Sequence, residues 1–328
     1  MKSLRVLNKN NRYLAKKVGI EIESNSEMMR ELSNALPMLA GGNAESTRIY
    51  ECQTVASNVQ NPLEVVLLGE VTRRCLPNYV EGSGDSASGS AHCHISGIPT
   101  ELSIDQLEVL MFALMPFMSM TFCRDKYSKY TYRAGVVGEG SRYSRFLSVS
   151  NGHRGAADYT ERNTWVKDQT DRWGKYSLEF RANENSPLWL YFITSILNNS
   201  DIVNKMTAML DSSLYAKATE VAKGNRTGSW INTYDKLSKA AYKYVRPRLL
   251  ADIPNIVKAI PEDTREFMTH ILTAYLNQDE ETYDRLVNKI INAAPSIAKL
   301  FEKIDSVYSE HSNYFDVVTA DIENKGKK

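Results

Sequence analysis

The chain has 328 residues, 42% of them hydrophobic and 24% charged. This is the composition of an ordinary globular protein, long enough for one large domain or two smaller ones. With 40 basic and 39 acidic residues the formal charge is +1, so bulk electrostatics argues against a general nucleic-acid or polyanion binder. Cys52, Cys75, Cys93 and Cys123 show no CxxC spacing and read as reduced thiols in a cytosolic-type compartment.

In chain order, the opening MKSLRVLNKNNRYLAKK is basic but has neither the apolar centre nor the small-residue cleavage site of a signal peptide. Residues 18–23 read as a strand, 26–39 as helical, 48–55 as a strand and 63–76 as a helix with Leu63, Val66, Leu67 and Val71 on one side. EGSGDSASGS at 81–90 is a Gly/Ser loop. Residues 91–96 form a strand and 103–122 a long helix, with Ser103 and Gln106 as a capping box and Pro116 as a kink. The apolar run 109–122 is shorter than the ~20 residues a bilayer span needs, so a buried helix and no membrane partner are expected. Residues 127–171 read as loop-rich and 176–181 as a strand. Ser186 caps, and Pro187 starts, a helix through 197.

Beyond residue 200 the pattern becomes helical: 203–223, 233–246, 262–276, 280–293 and 295–310, with no strand of comparable quality. The expected organisation is an α+β core over 1–200 and a helical C-terminal extension over 201–328.

Three strand-like runs carry paired polar residues at alternate positions, and residues i and i+2 of a strand share a face. GIEIES pairs Glu21 with Glu23, AHCHIS pairs His92 with His94, and SLEFR pairs Glu179 with Arg181. Glu51 in IYECQT is a further acidic strand residue, and Glu45 precedes it by six. Each pair alone fits an exposed edge strand or a satisfied core histidine. Together they suit a polar, metal-binding floor, because carboxylates on one face repel unless a cation lies between them. Oxygen ligands with an imidazole favour Mg²⁺ or Mn²⁺ over structural zinc, and Cys93, of opposite parity to both histidines, is not expected to join them. Arg142 and Arg145, in EGSRYSRFLSVSN, suit bidentate phosphate contacts, although surface solvation is the common fate of a loop arginine. Neither GxGxxG nor GxxxxGK[ST] is present, which removes the dinucleotide and P-loop fingerprints.

The order of these motifs carries a resemblance. SASGSAHCHISG is similar to the GSGMHxHxS motif of glutamine synthetases. YSLEFRANENSPLWLYFITSIL is similar to their IEFR…NPYLAFAAML segment, and GSRYSRFLSVSN to the arginine segment before it. The short spacing between the first glutamates and Glu51 is closer to glutamate–cysteine ligases and to the amidoligases, carboxylate–amine ligases often encoded by phages. The resemblance covers about residues 17–200. It implies a mostly antiparallel sheet of glutamine-synthetase/glutamate–cysteine-ligase type that carries Mg²⁺ or Mn²⁺. It also implies an ATP-dependent reaction joining a carboxylate to an amine through an acyl phosphate, with amino-acid, peptide or amine substrates. Carried over by motif, Glu21, Glu23, Glu51, His92 and Glu179 would hold metal. Arg142, Arg145 and Arg181 would bind phosphates and the substrate carboxylate, with His94 supporting or facing substrate. The resemblance implies a cytoplasmic enzyme, in the host cytoplasm where phage-encoded, and leaves a homo-oligomer open.

Two departures stand. Only Glu51 represents the second acidic strand well, and the large insertions of glutamine synthetase are absent. The competing reading is a non-catalytic member of the superfamily used as a structural or interaction protein, for example in a virion or as a scaffold. A guanidine-kinase-like phosphotransferase of the same superfold fits the HxH motif less well.

Overall fold

The computed structural model describes residues 17–24, 39–44, 50–54, 57–58, 60–75, 91–98, 102, 106, 109–110, 112–114, 166–168, 177–180, 186–213 and 229–309. The first part of the chain supplies strands β1 (Lys17–Ser24), β2 (Leu39–Ala44), β3 (Tyr50–Thr54) and β4 (Ser57–Asn58), helix α1 (Pro62–Cys75), and strands β5 (Ala91–Ser96), β6 (Val166–Asp168) and β7 (Ser177–Phe180). Helices follow: α2 (Trp189–Asn198), α3 (Ser200–Leu210), α4 (Ser229–Ile256), α5 (Glu262–Asn277), α6 (Glu280–Asn292) and α7 (Pro295–Ser309). The class is α+β. No helix among the described residues is long and apolar enough to cross a membrane.

The strands form one sheet in the order β2-β3-β1-β5-β7-β6, with β4 also on β1, and each pairing is antiparallel. The register slips by one residue between the β3 and β4 pairings, since Glu21 opposes Gln53 but Val18 opposes Ser57. A second irregularity places Gly41 and Gly42 of β2 against Cys52 alone, the two-against-one count of a β-bulge.

Period-two alternation sorts the sheet into two faces. Val18, Ile20, Cys93, Ile95 and Leu178 have one parity, and all are buried. Val65, Val66, Leu68 and Val71 of α1 are buried with them, as are Leu110, Phe112, Ala113 and Leu114 of the helical stretch after β5.

Helix α2, WLYFITSILN, is apolar nearly all round, and every one of its residues is buried, as that pattern requires. It packs on α3 and α4. Helix α5 packs on α4 and α6, while α6 and α7 reach back to α1. A Cβ at Gly69 of α1 would meet Pro187 Cδ at 3.5 Å, an ordinary van der Waals contact, so α1 lies beside the start of α2. The Trp189 indole N–H donates to the Tyr275 hydroxyl at 2.7 Å. The Tyr275 ring stacks on Phe192 at 6.1 Å between centroids and meets Tyr283 at 6.4 Å. One aromatic cluster thus ties α2, α5 and α6 together.

Several elements differ from expectation. Leu39, expected at the end of a helix, begins strand β2, and Val166–Asp168, expected within a loop-rich region, is strand β6. The helix starting near Pro187 begins at Trp189. The Ser186 hydroxyl accepts from the Leu188 N–H at 3.3 Å, so it still serves the entry to the helix. Helix α3 ends at Leu210 rather than running on, and a turn follows at Asp211. Helix α4 runs from Ser229 to Ile256, well past the expected end at Arg246 and through Pro247 and Pro254. The expected helix over 26–39 lies outside the described residues, apart from Leu39.

Tyr275→Phe should remove this hydrogen bond to the buried indole and lower unfolding free energy by about 1–3 kcal/mol. Urea denaturation of the two proteins measures this, and equal midpoints would mean that the bond contributes nothing. Burial pushes the Cys93 thiol far above its ordinary value. Cys93 should therefore resist iodoacetamide in the native state and react after unfolding, as peptide mass spectrometry would show.

Candidate metal centre

The face opposite the core is polar, and its register defines rows. Glu21 of β1 stands directly between Gln53 of β3 and His92 of β5. Glu23 opposes Glu51, which in turn opposes Asn43. His94 of β5 stands between Gly19 and Glu179, and Glu179 opposes Lys167 of β6. Lys17, Asn58, Ser96 and Ser177 occupy the next row. Directly opposed residues share a face, with Cβ atoms typically about 4.5–5.5 Å apart. Glu21, Glu23, Glu51, His92, His94 and Glu179 thus hold register positions on one face of one sheet.

The strands come together this way because β1 is central. Its Val18 and Ile20 are fixed in the core, and this parity sends Gly19, Glu21 and Glu23 to the other side. Cys93, between the two histidines, is buried in the apolar layer, as the alternation requires. Burial raises its thiol pKa, and its parity turns it away from the polar face.

Glu179 is only 4% exposed and Ser177 only 2%, so the polar face is covered at its β7 end. A carboxylate so deeply placed needs partners, and His94 and Lys167 flank it in the register. For Glu21, Glu23, Glu51 and His92 the description extends to backbone and register. The described side chains contain no group of three or more His, Cys, Asp or Glu able to hold a metal ion, and those four side chains lie outside that set. Arg142, Arg145, Arg181 and Glu45 lie outside the described residues.

The donor set suits a hard divalent cation. Like charges directly opposed across a sheet destabilise it, and Glu23–Glu51 is such a pair, one row from Glu21 and His92. Carboxylate oxygens with an imidazole are the ligands Mg²⁺ and Mn²⁺ accept.

Sequence reasoning missed Gln53, Lys167 and the buried Glu70 of α1, which is fully inaccessible. Gln53 was within reach, since it follows Glu51 at the same two-residue interval that marked Glu21 and Glu23. Lys167 lies in a strand of three residues, too short for a periodic signal.

No family model, curated protein or solved structure matches this chain.

If Glu23 and Glu51 repel, Glu51→Gln should melt higher than wild type in metal-free buffer, by roughly the 0.2–1 kcal/mol of a cross-strand pair. Mg²⁺ or Mn²⁺ with ATP should raise the wild-type melting temperature more than that of the variant. A lower melting temperature for Glu51→Gln without metal would show that the two carboxylates are not a repelling pair.

Proposed function

We propose that the polar face of this sheet is the nucleotide and metal site of an ATP-dependent carboxylate–amine ligase of amidoligase type. The sheet would then belong to the glutamine-synthetase/glutamate–cysteine-ligase class. The observation that supports this reading is the register: Glu23 against Glu51, Glu21 against His92 and His94 against Glu179, on one face.

Glu21, Glu23, Glu51, His92 and Glu179 would hold Mg²⁺ or Mn²⁺. Bound there, the ion supplies neutralising charge for the triphosphate. The remaining work falls to the chain's own groups. Arg142, Arg145 and Arg181 orient the phosphates and the acid substrate through planar, two-point contacts. A carboxylate oxygen of the acid attacks the γ-phosphorus of ATP and ADP leaves, giving an acyl phosphate. The amine nitrogen then attacks the acyl carbon, inorganic phosphate leaves, and the amine gives up a proton. His94, beside Glu179 in the register, would face the substrate and accept that proton. Covering of the β7 end strengthens each charge interaction at Glu179, because effective dielectric falls as water is excluded.

The test is ADP release in the presence of Mg²⁺ or Mn²⁺, ATP and a panel of amino acids, peptides and amines, with mass spectrometry of the product. Wild type should form ADP and an amide in equal amounts. Arg181→Lys should slow turnover by about 10²–10³, since lysine lacks the fork that clamps charge in the transition state. Glu21→Ala and Glu179→Ala should abolish turnover with the fold retained. Full activity in Arg181→Lys removes that residue from the site. No ADP from wild type across both metals and the whole panel would replace this reading with that of a structural or interaction protein.

A further inference from the structure

A cavity of about 240 Å³ opens between α2 and α4, and no strand residue is among the described residues that line it. This is far above the roughly 10–15 Å³ that admits a single water. Tyr191 and Asn198 of α2 line it, and each is more than nine-tenths buried. The Tyr191 hydroxyl and both amide atoms of Asn198 have no hydrogen-bond partner among the described residues. Such groups are rare in folded proteins, and all three belong to residues that line this cavity, with the atoms themselves closed off from its open space. Burial pushes the Tyr191 phenol above its ordinary pKa, so it is neutral and can both donate and accept.

Helix α4 adds two charges to the same cavity, Arg248 and Asp252. They stand four residues apart and so share a helix face. Arg248 lies over the Tyr244 ring at 3.6 Å from its centroid and donates Nη1–H to the Tyr244 carbonyl at 3.0 Å. Its remaining N–H groups meet no acceptor among the described residues. Asp252 accepts from the Ser195 hydroxyl at 2.6 Å and from the Asn255 amide at 2.9 Å, which fixes its carboxylate while leaving further lone pairs. No ion pair joins Arg248 to Asp252 among the described residues. A fixed cation and a fixed anion on one helix face cancel in net charge. They select neither a simple anion nor a simple cation. They complement a small molecule that carries both charges close together.

We propose that this cavity binds a free α-amino acid as its zwitterion. The carboxylate lies on Arg248, the ammonium on Asp252, and a side-chain amide or hydroxyl meets Asn198 and Tyr191. Arginine matches the planar carboxylate by two parallel bonds, and a hydrogen-bonded aspartate is the natural partner of an ammonium. The site is separate from the sheet and does not rest on the ligase reading.

The test is calorimetric titration of the full chain with individual free L-amino acids to ~10 mM, a range that captures dissociation constants of millimolar and below. Glutamine, asparagine, serine and threonine come first. At least one should bind with a single saturating isotherm. Its N-acetyl and carboxamide derivatives, each lacking one charge, should bind tenfold or more weakly. Asn198→Leu and Asp252→Asn should each weaken binding by about tenfold or more, while Glu179→Gln leaves it unchanged. Asn198→Leu removes two unpartnered polar atoms, so it should melt no lower than wild type, and a lost isotherm then reports the site rather than unfolding. If that variant does melt lower, Asp252→Asn decides. The proposal fails if no amino acid binds, or if both variants bind like wild type. It fails if uncharged hexoses or polyols bind more tightly. It fails if binding is lost in Glu179→Gln while Asn198→Leu retains it, because the ligand would then lie on the sheet.

Discussion

The strict two-residue alternation of the central strands governs both sides of the molecule. Val18 and Ile20 of β1, Cys93 and Ile95 of β5, and Leu178 of β7 all lie in the apolar layer, buried to within 1%. Shifting any one strand by a single residue would turn these outward and drive Glu21, Glu23, His94 or Glu179 into the core. Ionised carboxylates there would be prohibitive without partners. Core packing therefore dictates the pairing register, and the register in turn dictates which polar residues meet on the other face. The opposition of Glu23 to Glu51 is a consequence that sheet energetics alone would not select. A local conflict tolerated within an otherwise consistent pattern is the kind that functional sites carry.

The helical layer answers a second requirement, covering the apolar face. Helix α1 packs on β1, and helix α2 is buried along its whole length, packed on α3 and α4 and joined to α5 through Tyr275. Its few polar groups must then be met inside. The indole of Trp189 finds Tyr275, and Ser195 finds Asp252. The Tyr191 hydroxyl and the Asn198 amide find no partner among the described residues. The aromatic stack through Phe192, Tyr275 and Tyr283 links residues far apart in sequence, so the C-terminal helices share one apolar core with the helices that follow the sheet.

The chain declared its alternating polar strands and most of its helices, because period-two and period-3.6 patterns need only local residues. Strand β2, LAGGNA, was not legible. Its glycines and alanines have little strand preference, and only pairing with β3 makes it a strand. Three-residue β6 had no room for a pattern. Helix α4 was cut short at Arg246 because Pro247 removes an N–H and crowds the preceding turn. In the structure the apolar seam of Ala241, Val245, Leu249 and Ile253 runs on past both prolines. Pro247 and Pro254 stand exposed, where water can serve the carbonyls they leave. Burial of the seam outweighs the local penalty. The cavity between α2 and α4 was beyond sequence reasoning altogether, since nothing local joins Asn198 to Arg248 and Asp252.

The polar face of the sheet is not uniform, and this bears on what it can do. Ser177 and Glu179 on β7 are almost wholly covered, while Lys17 on β1 is exposed and His94 lies between these extremes. A gradient of exposure across one face gives a gradient of effective dielectric, from water-like at Lys17 toward the low values of an interior at Glu179. Charges at the covered end act strongly on whatever lies near them, and groups at the open end can exchange with solvent. A reaction that admits a charged substrate and then stabilises charge in a drier place needs this asymmetry. The fold class alone would not imply it, since an α+β sheet serves many ends. What the face can do rests on its particular residues and on where water reaches them.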